Sequence, residues 1–363
     1  MSRVLFVAGG GTGGHLMPAL ALATAVQRMD PDVEPVLIGA QRGVERDILP
    51  TKGFRYVLLP SEPLYRRQWW RNVRWPVTAI RLRRQLGELF ERERPAGVLG
   101  TGGYASAPVV WYAERQGVPT ALQEQNAVPG IASRWFSRQA QHIYLGLPEA
   151  RPHLRLGPET VVFDTGNPVS PPDFSIRDSA RERFGIDAVT PTVLVTGGSQ
   201  GALAINRTVA EWLDGGGGQG MNLLWVTGKG TYREFAARHD PPRVQVFDFL
   251  DPLAQAYSVA HVVVSRAGAV TVAEICAWGL PSILVPLPTA AADHQTRNAE
   301  AMARAGAAWF LPQRELTADR FGGRLMSLVN DAEVRIEMSV AANQRGRPDA
   351  GSDIARHVLT LLE

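Results

Sequence analysis

One cysteine, Cys276, is the only thiol in 363 residues. A single thiol excludes an intramolecular disulfide framework and fits a reducing cytoplasm. No apolar run reaches the ~18 to 20 residues of a membrane span. The opening MSRVLFVAGGG has too short an apolar stretch for a secretory signal. No H-x-x-x-H or C-x-x-C pair exists. The only D-x-D, Asp30–Pro31–Asp32, falls at a predicted helix end and reads as a solvated turn, so no metal site is expected. The formal net charge is only +3 and the pI of 9.2 rests on arginine. Where the charge lies therefore says more than its sum. Acid is missing from one long stretch, YRRQWWRNVRWPVTAIRLRR (Tyr65–Arg84), which holds seven arginines and three tryptophans.

The remainder is ordinary globular composition, 45% hydrophobic and 20% charged, enough to bury real cores. At roughly 150 residues per domain the length suggests two domains. Short apolar runs alternate with helical patterns in both halves. Strands are predicted at Val4–Ala8, Val33–Gly39, Tyr56–Pro60, Gly97–Gly100, Thr120–Leu122 and His142–Leu145, and again at Thr192–Thr196, Asn222–Thr227, Val244–Phe249, Val262–Ser265, Ser282–Val285 and Ala308–Leu311. Strand–helix alternation of this kind reads as α/β with doubly wound parallel sheets. The seam is TGNPVSPPDF (Thr165–Phe174), with three prolines and few apolar residues. The expected division is residues 1–164, residues 165–340, and a C-terminal segment 341–363 that packs back on the first domain.

One local pattern recurs. AGGGTGG (Ala8–Gly14), TGGYASAP (Thr101–Pro108) and TGGSQGA (Thr196–Ala202) each end a predicted strand and open a predicted helix. A helix N-terminus carries unpaired N–H groups and about half a positive charge, and glycine lets an anion approach that backbone. Three such loops across two similar halves suggest a cleft that handles phosphorylated molecules. Gly9, Gly11 and Gly14 have dinucleotide-fingerprint spacing, but the second strand runs into LIGAQRG without the acid that would hold a ribose. Arg42 keeps an NADP enzyme open as an alternative. A Walker A loop is excluded, because GKG (Gly228–Gly230) lacks the following Ser or Thr.

GGTGGH (Gly10–His15), GGYASAP (Gly102–Pro108), EQN (Glu124–Asn126), GNPV (Gly166–Val169), GGSQGA (Gly197–Ala202) and SRAGAVTVAEICAWGLPSILVP (Ser265–Pro286) occur in that order. The ordered set resembles the MurG family of glycosyltransferases, from about residue 3 to the C-terminus. The resemblance implies a GT-B architecture of two Rossmann-like domains facing a cleft. It implies inverting transfer of N-acetylglucosamine from UDP-N-acetylglucosamine to a lipid-linked muramyl peptide in peptidoglycan synthesis, with no cofactor. A peripheral protein on the cytoplasmic face of the inner membrane follows, with other cell-wall synthesis enzymes as candidate partners. Alternatives are another UDP-sugar enzyme of this fold, such as a 2-epimerase or a glycolipid glycosyltransferase, an NADP-dependent reductase, or a non-catalytic membrane-binding module.

The resemblance puts the donor in the second domain. Ser199 would meet the diphosphate, and the helix opening at Ala269, Val270, Thr271, Val272 and Ala273 would face the same anion. Glu274 lies one turn after Val270 and would accept from both ribose hydroxyls. Leu250 matches a position beside the uracil and Gln295 a contact to the sugar. Thr12, Gly13, Gly14 and Asn126 match donor-side positions in the first domain. Gly10, Gly11, Gly102, Gly103 and Tyr104 are candidates for holding the acceptor's diphosphate through backbone N–H groups. His15 is the favoured base for the attacking hydroxyl, since imidazole titrates near neutrality; a loop-shaping or hydrogen-bonding role is the alternative, and Glu124 is the second candidate. Three departures stand out: Ser170 replaces the family's arginine after GNPV, Gln123 replaces histidine before EQN, and PTAAADHQ differs from a common charged loop. Arg266 and Arg207 are candidate replacements for the missing guanidinium.

The arginine–tryptophan stretch fits an anionic membrane surface, because tryptophan prefers the interfacial zone and arginine attracts headgroups. Trp69, Trp70, Arg71, Arg74, Trp75 and Arg81 are the candidate contacts. A basic solvated helix with core tryptophans is the bland alternative. Nothing resembles a nucleic-acid-binding module, so no nucleic-acid partner is expected.

Overall fold

Strand β1 (Arg3–Gly9) is apolar from Val4 onward and buried on both faces, the pattern of a central strand in a parallel sheet. It belongs to a computed structural model that describes residues 3–63, 75–198 and 201–363. The chain forms two compact units, Met1–Val169 with Asp349–Glu363, and Ser170–Pro348. The division between 169 and 170 falls within the proline-rich segment.

The first unit runs β1, α1 (Gly13–Met29), β2 (Val33–Ala40), α2 (Glu45–Ile48), β3 (Arg55–Leu59), α3 (Trp75–Glu93), β4 (Gly97–Gly102), α4 (Gly103–Arg115), β5 (Thr120–Glu124), α5 (Ile131–Phe136), β6 (His142–Leu145) and β7 (Val161–Phe163). All strand pairs are parallel, in the order β3-β2-β1-β4-β5-β6-β7. Successive side chains of a strand point to opposite faces, and each face has its own core. Leu5 and Val7 of β1 pack with Leu16, Leu22 and Val26 of α1, and with Ile354, Ala355 and Val358 of the C-terminal helix Ala350–Leu361. Phe6 and Ala8 pack on the other side with Leu86, Leu89 and Phe90 of α3 and Val109, Val110 and Ala113 of α4.

The second unit runs α6 (Arg177–Phe184), β8 (Thr192–Thr196), α7 (Leu203–Asp214), β9 (Asn222–Val226), α8 (Tyr232–Phe235), β10 (Val244–Phe247), α9 (Ala254–Val259), β11 (Val262–Ser265), α10 (Ala269–Ala277), β12 (Ser282–Leu284), α11 (His294–Arg304), β13 (Trp309–Phe310), α12 (Ala318–Asn330) and α13 (Ala332–Arg345). Its parallel sheet has the order β10-β9-β8-β11-β12-β13. Val193, Val195, Trp225, Val246 and Val264 anchor one core against Ile205 and Val209 of α7 and Phe321 and Leu325 of α12.

Relabelled within its own unit, each sheet begins 3-2-1-4-5-6. The strand order therefore reverses beside the first strand of each unit, between β1 and β4 and between β8 and β11. Crossovers leave in opposite directions there, and a crevice opens at the carboxyl ends of the strands. The three recurring glycine loops, after β1, β4 and β8, lie at these two places. Two elements go beyond the sequence expectations. β7 is only three residues long, and α6 is RDSARERF, whose charge hides the two residues it buries, Ala180 and Phe184. α4 starts at Gly103, directly at the end of its strand.

Candidate functional site

At the first switch point only Gly10, Gly11 and Thr12 connect β1 to α1. Gly9 is held close, since a β carbon there would lie 1.8 Å from Thr101 Oγ1. Gly11 has φ +89°, a left-handed conformation that glycine adopts without strain. Beneath the loop sits Glu45, with 0% of its surface exposed. Both its carboxylate oxygens accept from the Gly11 amide at 3.0 Å, and Oε1 also accepts from Ala40 N at 2.8 Å. A β carbon at Gly10 would stand 2.4 Å from Glu45 Oε1. These glycines make room for a buried carboxylate.

That carboxylate corrects one expectation. The Gly11 amide is engaged by Glu45, so it does not offer its N–H to a diphosphate. Arg42 is ion-paired with Glu62 at 3.0 Å, so its guanidinium is not held ready for a 2′-phosphate. Asp30 pairs with Arg3 at 2.8 Å and accepts from Asp32 N at 2.9 Å, which makes the D-x-D a turn before β2.

Thr12, Gly13 and Gly14 are exposed at the start of α1, which has no side-chain cap. His15 follows, half-buried and clamped twice by Thr101: the threonine hydroxyl donates to His15 O at 2.8 Å, and His15 Nδ1 lies 3.1 Å from Thr101 O. Nδ1 is also 3.0 Å from Gln125 Oε1. A carbonyl oxygen can only accept, so Nδ1 carries a hydrogen, and in the neutral ring Nε2 carries the lone pair. The second glycine loop lies against the first. Gly102 and Gly103 have φ +94° and +78°, and a β carbon at Gly103 would fall 2.0 Å from Gly10 O. Tyr104 reaches back so that a β carbon at Gly11 would meet its ring at 2.5 Å. α4 also begins without a side-chain cap.

At the end of β5, Glu124 is buried and fully engaged. Its carboxylate accepts from Asn126 N at 3.0 Å, Asn126 Nδ2 at 3.3 Å, Gly130 N at 2.9 Å and Ser133 Oγ at 2.6 Å. It braces the Asn126–Gly130 loop and aims the Asn126 amide.

At the second switch point Ser199 lies outside the described residues. Around it, Gly198 and Gly201 have φ +78° and +71°, and a β carbon at Gly201 would fall 2.4 Å from Thr227 O. Asn206 ties the loop down by donating to Thr227 O at 2.8 Å and accepting from Trp225 Nε1 at 3.0 Å. The neighbouring Lys229 stands over the ring of Phe249, 5.1 Å from its centroid. Both residues are exposed, whereas Leu250 turns its side chain into the core with 5% exposed. Nothing in the sequence pairs Lys229 with Phe249, which lie twenty positions apart.

α10 opens directly after β11, with Gly268 as an N-cap that has no side chain to offer. Ala269, Val270, Thr271, Ala273 and Glu274 are half-buried, and Val272 faces the core. Glu274 Oε2 accepts from the buried Tyr257 hydroxyl of α9 at 3.2 Å. Burial pushes the Glu274 carboxyl above its ordinary range, and the tyrosine bond partly opposes that shift. Arg266, at the end of β11, is 8% exposed and forms no ion pair among the described residues; Nη1 donates to Val285 O and Pro286 O, each at 3.1 Å. Burial lowers its guanidinium to about 10. Arg207 is exposed and paired with Glu234 at 3.3 Å. Gln295 Oε1 accepts from Leu287 N at 2.9 Å. Before it, Ala292 and Asp293 are both left-handed, at φ +51° and +56°. Such backbone costs on the order of 1–3 kcal/mol per residue and concentrates at ligand-binding loops.

Trp69, Trp70, Arg71 and Arg74 lie outside the described residues, and Trp75 is described only as the first residue of α3. The rest of α3 is two-faced. Leu86, Leu89 and Phe90 are buried, while Val77 and Ile80 are 70% and 73% exposed beside the exposed Arg81, Arg83 and Arg84. No described helix is long and apolar enough to cross a membrane.

Comparison with known proteins follows the same division. The glycosyltransferase family 28 N-terminal domain matches residues 5–145, and the family 28 C-terminal domain matches residues 192–354. A protein of Moorella thermoacetica is 39% identical over 99% of this chain and 99% of its own length. One from Porphyromonas gingivalis is 36% identical over 98% and 95%. Both are named UDP-N-acetylglucosamine--N-acetylmuramyl-(pentapeptide) pyrophosphoryl-undecaprenol N-acetylglucosamine transferase. Among solved structures, Acinetobacter baumannii MurG superposes with a TM-score of 0.78 at 26% identity, covering 99% of each chain. Staphylococcus aureus MnaA with UDP has a TM-score of 0.70 at 16% identity, over 99% of this chain and 98% of that one, and shares the fold.

Proposed function

This chain belongs to glycosyltransferase family 28, and we infer from that membership that it transfers N-acetylglucosamine from UDP-N-acetylglucosamine to the muramyl peptide carried on undecaprenyl diphosphate. It is a UDP-sugar hexosyltransferase of peptidoglycan synthesis, with two parallel-sheet domains of the GT-B class.

The donor nucleotide is assigned to the second unit. The glycine loop at 197–202 and the uncapped start of α10 offer N–H groups and helix dipole to a diphosphate. Glu274 takes the ribose hydroxyls, and Gln295 faces the sugar through the amide nitrogen left by its bond to Leu287. Arg266 is the cation nearest in sequence to α10, in place of the arginine missing at Ser170. The first unit handles the acceptor. The start of α4 at Gly103 and Tyr104 is offered to the lipid diphosphate, since Glu45 occupies the Gly11 amide.

The observation that carries the mechanism is the pair of carbonyl oxygens facing His15 Nδ1, which leaves Nε2 as the basic nitrogen of the neutral ring. Its Nε2 takes the proton from the acceptor 4-hydroxyl, and that oxygen bonds to the anomeric carbon. The bond from that carbon to the β-phosphate oxygen breaks on the opposite face and leaves its electron pair with UDP, so configuration inverts. The histidine proton then passes to solvent. Amide-lined helix starts stabilise the charge that grows on the diphosphate.

The lipid acceptor requires contact with a bilayer. The outer face of α3, with Val77, Ile80, Arg81, Arg83 and Arg84, supports a peripheral position on an anionic membrane surface, on the cytoplasmic side where the nucleotide sugar is available.

Transfer of labelled N-acetylglucosamine to a muramyl-lipid analogue tests this reading. Wild type forms labelled lipid, and His15→Ala loses about 100-fold or more in kcat, the usual contribution of a general base. Absence of transfer by a folded protein that is stabilised by NADPH and not by UDP-N-acetylglucosamine would overturn it.

A further inference from the structure

Behind His15 lies a chain of three buried amide side chains. Gln125, Gln123 and Asn167 are 2%, 1% and 2% exposed. Gln125 presents Oε1 to His15 Nδ1 at 3.0 Å, and its Nε2 donates to Thr101 O at 2.7 Å, to Gln123 O at 3.0 Å, and to Gln123 Oε1. Gln123 Nε2 donates to Asn167 Oδ1 at 2.9 Å. Asn167 Nδ2 closes the circuit by donating to Gln125 O at 3.0 Å.

The direction of every bond follows from backbone carbonyls. The Gln125 carbonyl can only accept, so the atom of Asn167 facing it is the amide nitrogen and the other is the oxygen. That oxygen requires the nitrogen of Gln123, which turns the Gln123 oxygen toward Gln125. Gln125 therefore points its nitrogen at Gln123 and at two further carbonyls, and its oxygen at the imidazole. Reversing any one amide would set N–H against N–H or oxygen against oxygen in a site where an unsatisfied polar group costs about 1–3 kcal/mol. In the resembled family the residue before EQN is histidine; glutamine here donates and accepts at once, as the circuit demands.

We propose that Gln125, held by Gln123 and Asn167, is a positioning residue that joins the Thr101 carbonyl in holding His15 in its Nδ1–H tautomer and so keeps the Nε2 lone pair for the acceptor hydroxyl. The proposal rests on the reading of His15 as base. It differs from support by a carboxylate, because the network is neutral and orients the ring without adding a charge beside it.

Histidine-selective ¹⁵N NMR of the wild-type protein reads the tautomer directly, with His15 assigned by the signals lost in His15→Gln. A protonated Nδ1 and an unprotonated Nε2 at alkaline pH are expected; the opposite tautomer overturns the proposal without any variant having to fold. Gln125→Leu removes this acceptor and leaves the Thr101 carbonyl at Nδ1. Its kcat should fall by about fivefold or more, the worth of roughly one hydrogen bond, and the Nε2–H tautomer should gain intensity in the same ¹⁵N spectrum. KM for UDP-N-acetylglucosamine should stay within about twofold, since the change acts on the base and not on uniform donor binding. A folded Gln125→Leu protein with wild-type kcat and an unchanged tautomer removes the positioning role. If His15→Ala transfers at the wild-type rate, the base reading itself falls. If His15→Ala is inactive while Gln125→Leu keeps the wild-type kcat and tautomer, only the positioning role falls.

Discussion

Both carboxylate oxygens of Glu45 sit 3.0 Å from the amide nitrogen of Gly11, across 34 positions of sequence. A buried anion thus shapes the first glycine loop from below. Glu45→Ala would strand the Gly11 and Ala40 amides and leave a void. A loss of roughly 2–4 kcal/mol is expected in urea denaturation, from unmet N–H groups and a cavity together. Glu45→Gln should cost less, since one oxygen still accepts, and should lower kcat more than it raises KM for the donor.

Glu274 and Tyr257 make a second linked pair. Glu274→Ala should raise KM for UDP-N-acetylglucosamine by about 10- to 100-fold, as expected for a lost charge-assisted bond. Because burial holds the carboxyl above its ordinary range, donor affinity should weaken on acidification before an ordinary glutamate would protonate. The tyrosine bond favours the ionised form, so in Tyr257→Phe the weakening should begin at still higher pH. Donor KM measured from about pH 5 to 8 in the three proteins checks both signs.

The exposed arginines of α3 predict a membrane term. Arg84 is paired with Glu88 at 2.9 Å, which leaves Arg81 and Arg83 as the better probes. Changing both to Gln should weaken binding to vesicles containing anionic lipid by about 2 kcal/mol, roughly 30-fold. Equal binding before and after, or equal binding to neutral vesicles, would exclude this face.

Glu114 on α4 makes a stability prediction. Its Oε1 is buried without a hydrogen-bond partner among the described residues, and burial pushes the carboxyl up to about 7. A carboxyl raised on folding contributes stability that is complete below its unfolded value and is lost as pH rises through the folded value. Glu114→Gln should therefore be neutral near pH 4 and more stable than wild type by about 1–2 kcal/mol at pH 8, in urea denaturation at both pH values.

Much of the architecture is legible in sequence because parallel strands buried on both faces read as apolar runs, and β1, β8 and β11 are such runs. The glycine loops are legible because close approach and left-handed backbone demand glycine at Gly11, Gly102 and Gly201. The supporting residues are not. Glu45 looks like any acid at the start of a helix, and Gln125 meets an imidazole 110 positions away. Tyr257 reads as a core aromatic on α9 until the fold brings it beside Glu274. Glu124 shows the reverse case, in which the motif is visible but its four donors appear only with the loop in place. Nothing in the order of residues states which partner a buried polar side chain will find.

The last fifteen residues, Asp349–Glu363, belong to the first unit, and Ile354, Ala355 and Val358 fill the face of its sheet opposite α3 and α4. During synthesis the ribosome releases Ser170–Pro348 as one uninterrupted stretch, complete before these residues emerge. The first unit therefore cannot complete its core until the whole of the second has been synthesised.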